Sequence, residues 1–259
     1  MTLKSPRELK LMRKAGEIVA EVLMAFEEHV APGVTTAELD AVAAEIIAKY
    51  GAISSFRGVP ATKDGFPAFP AVITACINEE IVHGIPGPRR LREGDIVSLD
   101  VGAIYQGYHG DAAVTLPVGE INSGAQRLLE VTKASLYAGI AQALPGGRLW
   151  DVIRAIQKTI ESNGFGVIRE YQGHGIGRTM WEPPSVPNFL GYGGPSPTNF
   201  RLRPGMTLAL EPMVVAGDWH TEVLSDGWTV VTADRSLSAH FEHTIAVTDN
   251  GPVILTRPV

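Results

Sequence analysis

LREGDIVSLD (91–100) and LRPGMTLALE (202–211) are two versions of one segment. Each opens Leu-Arg, places Gly fourth, runs through apolar residues and closes on Leu followed by an acid. The pairing extends outward. HGDAAVT (109–115) matches HFEHTIA (240–246) through His-x-acid at the start of a strand, and the string HGI occurs at both His83 and His174. Pro32 and Gly51 are separated by the same interval as Pro145 and Gly164. Four markers in nearly the same order argue that the chain is written twice.

Between each Pro and its Gly the spacing predicts a helix. Leu39, Val42, Ala43, Ile46, Ile47 and Tyr50 share one face of the first, and Val152, Ile153, Ile156 and Ile160 share one face of the second. Thr35 with Glu38 forms a capping box, and Gly51 and Gly164 suit the left-handed position past a helix end. A longer helix precedes each. One spans about 6–30, with Ser5 and Glu8 as a capping box, Pro6 at the first position and a stripe of Leu9, Met12, Val19, Val22, Leu23, Phe26 and Val30. The other spans about 124–144, opened by Ser123 with Gln126 three residues on.

Strands are expected near 95–117 and 206–249, with short turns at Gly102 and Gly107 that suit hairpins. GYGGPSP (191–197) is the most loop-like stretch and is expected to cover the site. The fold class is α+β: one domain over 1–259, made of pseudo-twofold halves at about 7–119 and 123–250 around an antiparallel sheet.

The 259 residues, 45% hydrophobic and 19% charged, suffice for a substantial core. A net charge of −6 is spread along the chain, and the longest basic run is Arg89-Arg90-Leu91-Arg92, which excludes the clustered basic footprint of a nucleic-acid binder. The single cysteine, Cys76, excludes an internal disulfide and a thiolate metal cluster. No run of ~18 apolar residues could span a bilayer, and MTLKSPRELKLMRKAG lacks the apolar core of a signal peptide. The expectation is a cytoplasmic protein without membrane or nucleic-acid partners.

If a twofold relates the halves, Asp100 meets Glu211, Asp111 meets Glu242 and His83 meets His174 near the axis. Asp100 lies in IVSLDVG and Glu211 in MTLALEPM. A carboxylate in a buried strand is costly unless paired or bound to a cation, and four together repel one another. Lys and Arg are absent from these strand interiors, so a metal is the economical counter-charge. Four carboxylates with one or two imidazoles and no thiolate suit Mn²⁺, Fe²⁺, Co²⁺ or Zn²⁺. Four acids exceed the needs of one ion and favour two, ~3.5–4 Å apart, sharing a water for hydrolysis. For any single acid the competing reading is a capped turn or an edge-strand salt bridge; for a single histidine it is a core imidazole. His174 stands apart because glycines flank it, giving room and close backbone approach, whereas His29 and His220 lack such a context.

NEEIVHGIP (78–86), DVGAIYQGYHGDAAVT (100–115), GHGIGR (173–178), LEPM (210–213) and HFEHTIAVT (240–248) together resemble the type I methionine aminopeptidases. The resemblance runs from about residue 7 to 255 and implies the pita-bread fold. The activity implied is metal-dependent removal of the N-terminal methionine from nascent proteins and peptides, with small second residues preferred and nascent chains, at the ribosome, as partners. Asp100, Asp111, His174, Glu211 and Glu242 are implied to bind two divalent metals, bridged by Asp111 and Glu242. Glu211 is the implied general base, taking a proton from the metal-activated water that attacks the first peptide carbonyl. His83 is the implied substrate contact and assists at the scissile nitrogen. Phe66, Phe69, Met180 and Trp228 are the implied lining of an apolar pocket, in which a thioether meets aromatic walls; core packing is the competing reading for Phe66 and Phe69. The length resembles that of the short bacterial form, without the N-terminal domain of X-Pro peptidases, the helical insertion of type II enzymes or the zinc-binding extension of eukaryotic type I enzymes, and a monomer is expected.

Trp181 departs from that pattern, since the family carries there a second histidine that contacts the scissile carbonyl. An indole only donates and does not titrate near neutrality. Trp181 therefore either donates one hydrogen bond to the carbonyl or reshapes the pocket. GFPAF (65–69) differs from the family pattern as well. Two other classes stand beside the aminopeptidase. A binding protein on the same fold tends to lose metal ligands, and all five are present here. A metallohydrolase cleaving X-Pro or another amide is the other, and Trp181 leaves room for it.

Overall fold

The computed structural model describes residues 2–61, 65–191 and 198–257, so GYGGPSP beyond Gly191 lies outside the described residues. The predicted caps start the first two helices. In α1 (Pro6–His29) the Ser5 hydroxyl accepts from the Glu8 N–H while the Glu8 carboxylate accepts from the Ser5 N–H, and Thr35 and Glu38 do the same for α2 (Thr36–Lys49). The first half continues with β1 (Ile53–Ser54), β2 (Ile73–Ile77), β3 (Glu80–Val82), β4 (Ile96–Tyr105) and β5 (Tyr108–Pro117). The second opens with α3 (Ser123–Gln142), α4 (Leu149–Glu161), β6 (Gly166–Val167), β7 (Gly173–Gly175), β8 (Glu182–Val186) and β9 (Thr207–Leu210). It ends with β10 (Met213–Val215), β11 (Thr221–Val223), β12 (Val230–Thr232), β13 (Ser238–His240), β14 (His243–Thr248) and β15 (Gly251–Ile254). Gly51 and Gly164, past α2 and α4, have φ of 62° and 81°, the left-handed turn the sequence predicts at both places.

Three expectations are corrected. Asn122, not Ser123, caps α3, its side chain accepting from the Ala125 N–H, and the helix stops at Gln142. Gly102 is not a turn: it lies inside β4 opposite Asp111, and the β4–β5 turn is Gln106-Gly107, both left-handed as a tight two-residue hairpin demands. Within 206–249 a hairpin forms between β11 and β12, whereas β9 pairs with the distant β7 and β14.

β4 carries β5 on one edge and β1 and β2 on the other. A five-stranded sheet runs β15-β14-β9-β7-β8, and two three-stranded sheets run β13-β10-β6 and β11-β12-β3. The halves meet where β5 faces the start of β14. There the Glu242 N–H donates to the Ala113 carbonyl (2.9 Å), and the Asp111 N–H donates to the Thr244 hydroxyl (3.0 Å), which donates back to the Asp111 carbonyl (2.8 Å). In the repeat alignment Asp111 corresponds to Glu242 and Ala113 to Thr244. The seam thus has the reciprocal pattern of a twofold contact, in which i meets j and j meets i.

Each half has its own core. Val19, Val22, Phe26, Leu39, Ala43 and Ile47 pack on Val97, Leu99 and Val101 in the first, and Val152, Ile153, Ile156 and Ile160 pack with Leu128, Leu208 and Ile245 in the second. α1 also lies close to β5 and to the chain after β15. A Cβ on Gly16 would sit 2.2 Å from the Leu255 carbonyl oxygen, and one on Gly110 would sit 2.7 Å from the Gly16 nitrogen.

Gly16→Ala sets two effects against each other. Helix propensity favours Ala by up to ~1 kcal/mol. A side chain forced onto rigid backbone costs ~1–3 kcal/mol. The clash wins because a carbonyl cannot rotate away, so the urea midpoint of Gly16→Ala is expected to fall with an unchanged slope.

Candidate metal centre and substrate cavity

Strand register brings the acids together. Across β4 and β5, Asp100 faces Ala113 and Gly102 faces Asp111, so the two aspartates lie diagonally on one face. The seam then sets Glu242 beside Asp111. His174 in β7 faces Ala209 of β9, two residues before Glu211, which places imidazole and carboxylate on one side of that sheet. Asn188 Nδ2 donates to the Glu211 carbonyl at 2.9 Å and holds the backbone where β9 ends. Glycines flank His174 because backbone closes in on both sides: a Cβ on Gly173 would meet the Ala209 oxygen at 2.4 Å, and one on Gly175 the Pro183 oxygen at 2.5 Å.

These residues line one end of a cavity of about 640 Å³. His174 Nε2 lies 3.6 Å from Glu211 Oε1 and 3.9 Å from Asp111 Oδ2. His240 Nε2 lies 3.9 Å from both Glu211 Oε2 and Glu242 Oε2. Two triads result, Asp111–His174–Glu242 and Glu211–His240–Glu242, each with its donor atoms within 4.8 Å of one another. Asp100 faces the same cavity, close enough to Asp111 for the two carboxylates to repel each other.

The electrostatics explain what such a cluster needs. Burial, and then repulsion from a neighbouring carboxylate, pushes Asp100, Asp111, Glu211 and Glu242 well above the ordinary carboxylate range. Asp100 Oδ1, Asp111 Oδ1, Glu242 Oε1 and His240 Nε2 are buried without a hydrogen-bond partner. His174 Nδ1 is 2.9 Å from the Gly175 carbonyl, which can only accept, so Nδ1 carries the proton and Nε2 presents its lone pair to the acids. Unpartnered oxygens and imidazole nitrogens that converge without an internal cation form a donor set for divalent metal.

The rest of the cavity mixes apolar residues with Thr74, His83, Glu170, Tyr171 and Gln172. Phe69, Met180 and Trp228 line it, with the Phe69 and Trp228 rings edge to face at 5.1 Å and Trp228 Nε1 donating to the Pro67 carbonyl at 3.0 Å. Phe66 is not among the lining residues; its ring lies over Gly227. His83 sits in the wall with φ of 61°, edge-on to Tyr171 at 5.7 Å, and burial pushes its pKa down to about 4. Trp181 is 57% exposed and stands edge-on to His174 at 6.4 Å, so the indole forms the rim beside the donor set. Behind it the Lys4 ammonium and Glu182 carboxylate pair at 2.5 Å, both nearly buried, and Glu182 Oε1 accepts from the Arg178 N–H.

Sequence reasoning noted His240 in the His-x-acid repeat and gave it no role. The repeat alone could not assign one, because the equivalent His109 turns away to the Ser55 hydroxyl at 2.9 Å.

Comparison with known proteins agrees with this geometry. The model of metallopeptidase family M24 matches residues 10–249. The chain is 50% identical over 254 residues to methionine aminopeptidase 1 of Bacillus subtilis, covering 98% of each. It is 43% identical over 258 residues to the Escherichia coli K12 methionine aminopeptidase, covering 99% of this chain and 94% of that one. The solved Thermotoga maritima methionine aminopeptidase superposes with a TM-score of 0.92 at 45% identity, over 99% of both chains. A prolidase from Pyrococcus horikoshii shares the fold alone, with a TM-score of 0.74 at 24% identity over 99% of this chain and 64% of that one. The architecture is accordingly the pita-bread fold of two pseudo-twofold α/β halves. With buried metal-binding chemistry at the seam and kinship along its whole length, the chain belongs to metallopeptidase family M24, among the methionine aminopeptidases.

Proposed function

We propose that this chain removes the N-terminal methionine from polypeptides and peptides whose second residue is small, using two divalent metal ions held by Asp100, Asp111, His174, Glu211 and Glu242. The observation that carries this reading is the set of buried, unpartnered donors in a cavity that Phe69, Met180 and Trp228 also line. Asp111 and Glu242, adjacent across the seam, would be shared between the ions. Mn, Fe, Co and Zn all suit the oxygen-rich set. When bound, the ions polarise the first peptide carbonyl and make a water nucleophilic near neutral pH.

The chain's own groups do the rest. Phe69, Met180 and Trp228 receive an unbranched apolar side chain, and the aromatic rings favour a thioether. His83 is neutral at physiological pH, so one ring nitrogen donates and the other accepts, which suits it to hold the scissile amide and to assist as its nitrogen gains a proton. Glu211 accepts the proton from the attacking water. Trp181 narrows the rim beside His174 and disfavours bulky second residues. The reading extends to a monomeric, single-domain cytoplasmic enzyme acting on nascent chains, including those at the ribosome.

The deciding experiment is hydrolysis of Met-Ala-Ser, Met-Leu-Ser and Ala-Pro-Ser with Mn²⁺ or Co²⁺ and with a chelator. Metal-dependent release of methionine from Met-Ala-Ser is expected, with Met-Leu-Ser slower and Ala-Pro-Ser untouched. Cleavage of Ala-Pro-Ser alone would make the chain an X-Pro peptidase and refute the proposal. Trp181→Ala is expected to reduce the preference for Ala over Leu by about tenfold in kcat/KM. Glu211→Gln is expected to keep metal binding, read by calorimetry, while kcat falls at least ~100-fold.

Chelation should also leave a pH signature. The four acids, raised in the folded state above ordinary values of 3.8 and 4.5, hold protons that the unfolded chain has already lost. The metal-free protein therefore loses stability as pH rises from about 4 towards the raised values. Divalent metal displaces those protons, so its stabilisation is expected to be larger at pH 8 than at pH 5. At a hundredfold excess over Kd the gain is ~2.7 kcal/mol, read as a rise in Tm of roughly 5–10 °C.

A further inference from the structure

We propose that His240 is a sixth protein ligand of the centre, adding an imidazole where Glu211 and Glu242 would hold an ion. The inference rests on the metal reading above and goes beyond its five-residue donor set.

His240 is 2% exposed, and its Nε2 is buried without a hydrogen-bond partner. That nitrogen points between two carboxylates, at 3.9 Å from Glu211 Oε2 and 3.9 Å from Glu242 Oε2. The gap is too long for a hydrogen bond. It is the span of two donors across one ion, since ligands each ~2.1 Å from a metal reach as far as ~4.2 Å apart. Asp111–His174–Glu242 has the same form, including a 3.9 Å imidazole-to-carboxylate gap, and both triads share Glu242.

The backbone of His240 is held as a ligand's should be. Its N–H donates to the Thr115 hydroxyl, which donates back to the His240 carbonyl, both at 2.8 Å. That spends the one Thr115 proton, so the Ser98 hydroxyl, 2.8 Å away, must donate to Thr115. β13 is further paired to β10, with His240 opposite Met213. The imidazole thus stands on a fixed strand with its free nitrogen aimed into the donor set, the preorganisation that metal sites require. An added nitrogen ligand shifts this subsite away from Mn²⁺ and towards Co²⁺, Ni²⁺ and Zn²⁺.

The test counts imidazoles on the loaded protein. X-ray absorption fine structure of the enzyme carrying two equivalents of Zn²⁺ is expected to show an average of one imidazole per zinc, and half an imidazole per zinc in His240→Gln. Zinc titration by calorimetry is expected to show one of the two equivalents weakened at least ~10-fold in the variant. Half an imidazole per zinc in the wild-type enzyme overturns the proposal without requiring the variant to fold. So does one per zinc that persists in His240→Gln, since the second imidazole then comes from elsewhere. Failure of the wild-type protein to bind zinc at all would overturn the metal reading itself, and this inference with it.

Discussion

Glu242 and Asp111 are held side by side because their backbones are hydrogen-bonded across the seam between the two halves, through Ala113 and Thr244. Backbone pairing fixes the points from which the two carboxylates extend, and burial weakens the screening that bulk water would give them. Taking one such anion out of water costs several kcal/mol, and adding a second multiplies the penalty. Only two resolutions exist: the acids keep their protons, or a cation replaces them. The raised titration of all four acids is the first resolution, and divalent metal is the second. The rest of the architecture serves this constraint. β4, β7, β9 and β13 each deliver one donor, or the residues leading to one, to the place where β5 meets β14.

Much of this was legible because duplication leaves a record in sequence. Leu-Arg-x-Gly ending in an acid, and His-x-acid at a strand start, mark corresponding places in both halves, and the helices announce themselves through capping boxes and a 3.6-residue stripe. What was not legible depends on partners distant along the chain. β9 looks like the first arm of a hairpin until β14 claims it, and Gly102 looks like a turn until Asp111 and Ser55 prove to lie against it. His109 and His240 occupy equivalent positions, yet one reaches a serine and the other the donor set. Phe66 and Phe69 are three residues apart in one loop, and only Phe69 reaches the cavity wall. Helix caps are decided locally and side-chain direction in a loop is not.

The two ends of the cavity divide the work by physical type. One end is charged, rigid and built on strand register, as placing a few donors within tenths of an ångström demands. Phe69, Met180 and Trp228 lie instead on segments between strands, where shape and burial set the preference for a side chain. Trp181 stands at the junction, edge-on to His174 yet more than half exposed. A substitution there alters the approach to the donor set while the donors stay anchored to their strands.

The seam also sets how the molecule comes apart. Asp111 and Thr244 lie 133 residues apart in sequence, yet each half holds a separate core. Closing so long a loop adds little entropy cost over closing a shorter one. The halves are also joined by shared packing, with Met12, Phe69 and Tyr108 of the first lying among Ile176, Met180 and Leu255 of the second. Whatever binds between Asp111 and Glu242 therefore sits on the contact between the halves, and its binding energy strengthens their docking as well as filling the site.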